Sequence, residues 1–365
     1  MKKLLLAGAG HAHLMTIMNI PRFARAGVAV TVVSPGDYHY YSGMGPGLLS
    51  GIYRPEETRF DVRQMTQKRG GTFVQGVVER IDPINRRVIL AGGQPLDYDL
   101  LSCNMGSVVI GLPDDAKNLI PVKPIENLYH AGQEIRRLLA RSPLRVAVVG
   151  GGAAGVELAG NLLRLGASAA HPLEVTLVSR DELLTRYPPG MKKPALDSLR
   201  RRGATVLERV AVKQVTESHI ELDPGGAVPF DLAFNAAGIE PVSVFHRSGL
   251  PVSQDGGLRV NQYLQCVSEP EIFGGGDCIS FTPRPLARVG VYAVRQGPVL
   301  CRNLLASLTG GLLQGFNPQS RYLSILNMGD DRGILSWRSL ILSGRLAFRL
   351  KDYIDRAFMK RFQAK

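Results

Sequence analysis

The sequence predicts an α/β protein in which one strand, glycine loop, helix and second strand are written twice in the same order. The first copy is KKLLLAGAGHAHL at the start of the chain, and the second is LRVAVVGGGAAGVELAGNLL from Leu144. A β-branched strand follows each, AVTVVSP over 29–35 and EVTLVSR over 174–180. Size agrees with this reading. A chain of 365 residues that is 45% hydrophobic has room for about two domains with substantial cores.

The glycines have a physical purpose in each copy. The first lets the chain turn tightly out of the strand, and the second lets backbone N–H groups approach a pyrophosphate at the positive end of the next helix. The third permits close packing of helix on strand. Gly150, Gly152 and Gly155 complete the set in the second copy. In the first, Gly8 and Gly10 are present and His13 stands at the third place, which predicts a wider gap between helix and strand. His11 and His13 raise the question of a metal, but two histidines two apart on a turn diverge, and no nearby cysteine or acid completes a ligand set. No metal is expected.

Three further segments extend the pattern. DYDLLSCNMGSVVIGLP (97–113) and FDLAFNAAGIEPV (230–242) are apolar strands ending at Gly106 and Gly238. EIFGGGDCIS (271–280) places Asp277 after a short strand and a run of glycines, where a turn aspartate and a ligand-binding one are both admissible readings.

Composition excludes several classes. The opening MKKLLLAGAG imitates a signal peptide, yet its apolar run dissolves into glycines, and no stretch approaches the roughly 18 apolar residues of a membrane span. Cys103, Cys266, Cys278 and Cys301 form no CxxC or CxxxxC pair, so reduced thiols and a cytoplasmic chain are expected. Of the net charge of +13, +6 lies in the 29 residues from Trp337 onward, eight Lys or Arg against two Asp. That distribution weighs against a nucleic-acid partner.

The whole chain resembles the flavoproteins with two dinucleotide-binding domains, the pyridine nucleotide-disulfide oxidoreductase superfamily. Within it the chain is similar to the type II NADH dehydrogenases and sulfide:quinone oxidoreductases, and to the NADH dehydrogenase-like module sometimes fused to selenide, water dikinase. GAGHAHL, VSPGDYHYYSGMGPGLLSG (33–51), GVYAVRQGPVLCRNL (290–304) and KDYIDRAFMKRF (351–362) carry the match. The resemblance implies two Rossmann-like domains, the second inserted in the first, and a C-terminal region ending in an amphipathic helix. The implied divisions are an FAD-binding domain at 1–108 and 239–312, an NAD(P)-binding domain at 109–238, and a C-terminal region at 313–365.

By the same resemblance Gly8, Gly10, His11, Ser34, Tyr41, Ser42, Gly43, Met44, Gly106, Asp277, Ala293 and Gln296 would hold FAD. Gly150, Gly152, Gly155, Glu157, Arg180 and Gly238 would receive NADH or NADPH. The acid that normally ends the second strand and binds the adenosine ribose is absent from both copies, replaced by Ser34 and by Ser179-Arg180. A guanidinium there can pair with a 2′-phosphate, or mark a nicotinamide site that has decayed.

The cysteine pair of disulfide reductases is also missing, since its neighbourhood reads YYSGMGPGLLSGIY. The resemblance therefore implies a quinone or similar small acceptor, with Gln296 at the border of its pocket, and it admits a homodimer. A sulfide:quinone relay through separate cysteines, or a low-turnover flavin protein of selenium metabolism, are the alternatives. From Leu346 the residues Leu346, Leu350, Tyr353, Ile354, Ala357 and Phe358 follow helical spacing, with Arg345, Arg349, Arg356 and Lys360 on an adjacent stripe. Such a helix over 343–365 suits peripheral attachment to the inner face of a membrane, or packing on its own domain.

Overall fold

The computed structural model of the protein describes residues 1–112 and 116–363. The last residue of the 97–113 segment and the last two of 343–365 lie outside the described residues. Two five-stranded parallel sheets organise the chain. The first runs Ile272–Gly274, Leu100–Cys103, Lys2–Ala7, Val28–Ser34, Thr72–Gln75 across its width, and the second runs Leu119–Pro121, Leu232–Asn235, Leu144–Val149, Leu173–Ser179, Thr205–Glu208. Parallel strands covered on both faces read as continuous apolar runs. Leu4 to Ala7 and Val146 to Val149 are accordingly buried without alternation.

The predicted crossing strands meet. Ser107–Val109 pairs antiparallel with Ile239–Pro241, one on each side of the second sheet in sequence. Gly106 and Gly238 take positive φ of 73° and 143° beside this two-stranded ribbon, a region that glycine enters freely.

The two cradles differ where their sequences differ. In the second, helix Ala153–Gly166 begins directly after Gly152. A Cβ on Gly155 would lie 1.8 Å from the Gly150 carbonyl oxygen, so a side chain there would force helix and loop apart. In the first, residues 11–13 form a turn and helix Leu14–Met18 begins three positions later than its counterpart. His13 is the cause. Its ring is wholly buried, with Nδ1 2.5 Å from Gly8 O and Nε2 2.8 Å from Ser102 Oγ. The sequence predicted a wider gap at this position; in the structure the imidazole lies between the turn and the strand, and the helix begins after it.

The C-terminal region contains an element that periodicity did not reveal, an antiparallel meander of Ser324–Asn327, Gly333–Trp337 and Leu340–Gly344. Leu326, Met328 and Ile334 join the core of the second sheet. Helix Arg345–Gln363 follows and sends Met359 and Phe362 into the core of the first.

Candidate active site

Three loops converge at the carboxyl ends of the first sheet, where ligands bind in open parallel sheets. Asn104 holds them together. Its Oδ1 accepts from Ala12 N–H at 2.9 Å, and its Nδ2 donates to Gly275 O at 2.6 Å. Cβ atoms on Gly8 or Gly10 would each fall 2.4 Å from an oxygen of Asn104, so both glycines are required sterically. Nothing in the sequence singles out Asn104, because its partners are about 90 and 170 residues away along the chain.

Asp277 stands at the centre of this convergence. Its Oδ2 receives hydrogen bonds from Lys123 Nζ at 2.8 Å and Ser107 Oγ at 3.0 Å, and Lys123 also donates to Ser107 Oγ at 2.5 Å. Sequence reasoning missed Lys123, which sits between two strand-breaking prolines with no motif around it. Behind Asp277 lies a cavity of about 480 Å³ bordered by Gly276, Val289, Tyr292, Ala293 and Gln296. Gln296 borders the cavity, but its Oε1 is engaged, accepting from Gly276 N–H at 2.7 Å. It holds the glycine turn that presents Asp277. Ser34, at the end of its strand, is buried beside the neighbouring strand, with its carbonyl accepting from Gly76 N–H.

His11 turns away from His13 into an aromatic group. Its ring centroid lies 4.6 Å from His39, 5.3 Å from Tyr41 and 5.9 Å from Phe358 of the C-terminal helix. His11 Nδ1 is 3.1 Å from His39 Nε2. Burial, reinforced by the charge of Lys123, pushes His11 down to about 4, and burial with His11 and Lys123 keeps His39 well below its usual value. Both rings are neutral at pH 7. His11 Nε2 is buried and has no hydrogen-bond partner among the described residues.

The loop 41–44 is fixed from the far end of the chain. Lys351 Nζ donates to Gly43 O at 2.7 Å and to Asp355 Oδ2 at 2.8 Å, while Tyr41 OH donates to Asp355 Oδ1 at 3.1 Å. Gly290, which begins helix Gly290–Thr309, approaches Ser42. The resemblance put all of 41–44 against a flavin. The turn Ser42–Met44 directs the Met44 side chain into the core at 0% exposure.

At the second cradle Gly150, with φ 129°, would place a Cβ 2.2 Å from Ala236 O, whereas Gly152 meets nothing within 4 Å. The second glycine is thus open for a ligand to approach its backbone. Ser179 Oγ lies where a Cβ on Gly151 would be, 2.0 Å away, and Arg180 projects into solvent beside it. Glu157, expected at the nucleotide, makes its hydrogen bond toward the C-terminal region. Two helix positions from Gly155 is about 200° of rotation, so with Gly155 facing the loop, Glu157 faces the C-terminal region. There its Oε1 accepts from Asn327 N–H at 2.7 Å. Burial pushes its carboxyl up to about 7 against the pull of Lys351.

A family model described as pyridine nucleotide-disulphide oxidoreductase matches residues 2–297. The chain belongs to that family. Among its relatives, the type II NADH:quinone oxidoreductase of Staphylococcus aureus is 25% identical over a 390-residue alignment that takes in 97% of this chain and 94% of the relative. Among solved structures, NDH2 from Plasmodium falciparum in complex with NADH superposes with a TM-score of 0.80 at 15% identity, over 100% of this chain and 99% of that one. The sulfide:quinone oxidoreductase of Aquifex aeolicus gives 0.80 at 16%, over 100% and 92%. These two likenesses establish the fold.

As an oxidoreductase of this family the chain lacks the disulfide that gives the family its name. All four cysteines are buried as free thiols. Burial pushes Cys278 up to about 12 and raises Cys103 and Cys301, so these three are not thiolates at neutral pH. The first cradle fits a flavin dinucleotide. Asp277 lines the cavity, and the partnerless His11 Nε2 and the helix start at Gly290 supply a further polar atom and a positive backbone end.

Proposed function

We propose that the protein is an FAD-dependent oxidoreductase that takes electrons from NADH or NADPH at the second cradle and delivers them to a quinone or similar small acceptor. The observation that carries this reading is the pair of glycine cradles, one at the carboxyl end of each parallel sheet, with Asp277 and Lys123 centred on the first. The quinone relatives and the absence of a disulfide support the acceptor. FAD supplies the hydride-accepting ring, so the protein's own groups need only bind and orient. Asp277 and Ser107 would hold the ribityl and phosphate portion, with Lys123 beside them as the fixed cation. His11 and Tyr41 would exclude water from the ring side.

Purified protein is expected to carry a flavin spectrum that bleaches anaerobically with reduced nicotinamide nucleotide and returns on adding a soluble quinone. A bound flavin that neither NADH nor NADPH bleaches would overturn the donor half of the proposal. The sulfide alternative finds no support in the buried, unpaired thiols.

The C-terminal face supports docking on a membrane surface. Leu346, Leu350, Tyr353 and Ile354 lie exposed, and the meander adds Trp337, Leu340 and Leu342 to the same apolar group. Arg338, Arg345 and Arg349 accompany them. No helix among the described residues is long and apolar enough to cross a membrane. Ala347, Lys351, Asp355, Met359 and Phe362 pack inward, and Phe358 of the predicted stripe turns in against His11 and Tyr41, while Leu346, Leu350, Tyr353 and Ile354 stay exposed for the proposed docking. Truncation would strip the core, so the test uses L346E, L350E and Y353E together. Co-sedimentation with anionic vesicles should fall at least about tenfold while the melting temperature holds. Unchanged sedimentation refutes docking, and a shift from dimer to monomer on the same substitutions would assign the face to a second copy.

A further inference from the structure

We infer that the second cradle selects the 2′-phosphorylated dinucleotide, NADPH, and that Arg180 is the residue that recognises it; this rests on the nicotinamide reading above. An adenosine ribose with a free 2′-hydroxyl is usually held by a carboxylate at the end of the second strand. Here that strand ends in Ser179, and the structure shows whether another acid can substitute.

Three carboxylates lie on this rim, and each is engaged. Glu208 is the register partner of Ser179 on the adjacent strand. Its Oε1 accepts from Leu183 N–H at 2.7 Å and lies 3.0 Å from Lys192 Nζ. Glu182 is taken by Lys192 at 2.7 Å and by Arg209. Asp181 faces Arg180 at 3.7 Å, with the two side chains 62% and 81% exposed. A pair so exposed contributes little, and the guanidinium can leave it for a better anion.

The loop after the strand is anchored so that Arg180 stays at the cradle. Leu184 N–H donates to Gly151 O at 2.8 Å, and Leu183 and Leu184 are buried. Ser179 Oγ is pressed on the same glycine. The rim therefore offers a hydroxyl and a planar cation held only by the exposed Asp181, while Glu182 and Glu208 are neutralised by their own cations. A guanidinium suits a phosphate because it donates two parallel hydrogen bonds.

The first cradle is an internal control. It too ends its strand in serine, Ser34, but Pro35 and Gly36 follow in place of a cation, and Asp37 is held by Arg63 Nε at 2.7 Å. The dinucleotide proposed for that site has no 2′-phosphate. An arginine directly after the strand-end serine occurs in the second cradle and not in the first.

Calorimetric titration of the flavin-loaded protein with adenosine 2′,5′-bisphosphate and with 5′-AMP reads this without turnover. The bisphosphate is expected to bind about ten- to a hundredfold more tightly, as a charge-assisted contact implies. R180A should erase most of that ratio while the melting temperature holds, and D181N should leave the ratio intact or raise it. NADPH should bind more tightly than NADH by a similar factor. Equal affinities for the two nucleotides, or a ratio that survives R180A, overturn the inference and leave the nicotinamide reading standing. If NADH and NADPH both fail to bind, the reading and the inference fall together.

Discussion

Replacing Lys351 with methionine is expected to destabilise the fold by about 3–5 kcal/mol, the usual consequence of removing one partner from a buried ion pair. The side chains of Lys351 and Asp355 are 9% and 6% exposed. Burial alone would favour the neutral amine, but Asp355 and Glu157 outweigh it and keep the ammonium charged. Methionine would leave Asp355 without its cation, with only Tyr41 OH to donate to it. It would also release Gly43 O, so loop 41–44 should become protease-sensitive along with the C-terminal helix. Urea melts at pH 7 measure the first effect. The double variant K351M/D355L should recover most of the loss, since a well-packed apolar pair often replaces a buried ion pair at no cost. A single-variant loss below about 1 kcal/mol would show that water reaches the pair.

Glu157→Gln is expected to leave stability unchanged near pH 4.5 and to raise it progressively toward pH 8, by at most about 3 kcal/mol. Burial lifts the Glu157 carboxyl from 4.5 to about 7, partly opposed by Lys351 and by the Asn327 N–H. The folded protein thus holds this proton more tightly than the unfolded chain. Its contribution is fully present below about 4.5 and is lost as pH rises through about 7. Glutamine keeps the oxygen that accepts from Asn327 N–H and carries no charge, so the pH-dependent cost disappears. Melts of both proteins across this range give the answer, and a difference that does not vary with pH would rule out titration of Glu157 as its source.

These two predictions concern a cluster that no sequence window contains. Glu157, Asn327, Lys351 and Asp355 come from three segments of the chain, and the helical spacing of 346–358 drew attention to the opposite, apolar stripe. A lysine and an aspartate four apart on a basic helix read as a solvated pair. Only the packing of that helix across loop 41–44 removes them from water. Asn104 and Lys123 were illegible for the same reason, since Asn104 acts through partners about 90 and 170 residues away and Lys123 through Asp277, 154 residues away. Glu157 illustrates a subtler limit. Its nearness in sequence to the cradle suggested a nucleotide contact, but nothing in that window shows that its carboxylate accepts from Asn327 N–H far along the chain.

The sequence by itself determined the two cradles, their order and their parallel sheets, because each unit is local. A strand, a glycine with positive φ and a helix are specified within about 15 residues by backbone sterics and apolar patterning. It also determined the departures that matter: the histidine that delays one helix, and the arginine that ends the other unit's strand. Tertiary structure decided which charges are buried and which are free. Lys351 and Arg180 are both cations in the sequence, but one is enclosed by carboxylates and the other is left open to a ligand. That difference depends on the dielectric surroundings and on partners brought together by folding, and neither is a property of a residue's neighbours along the chain.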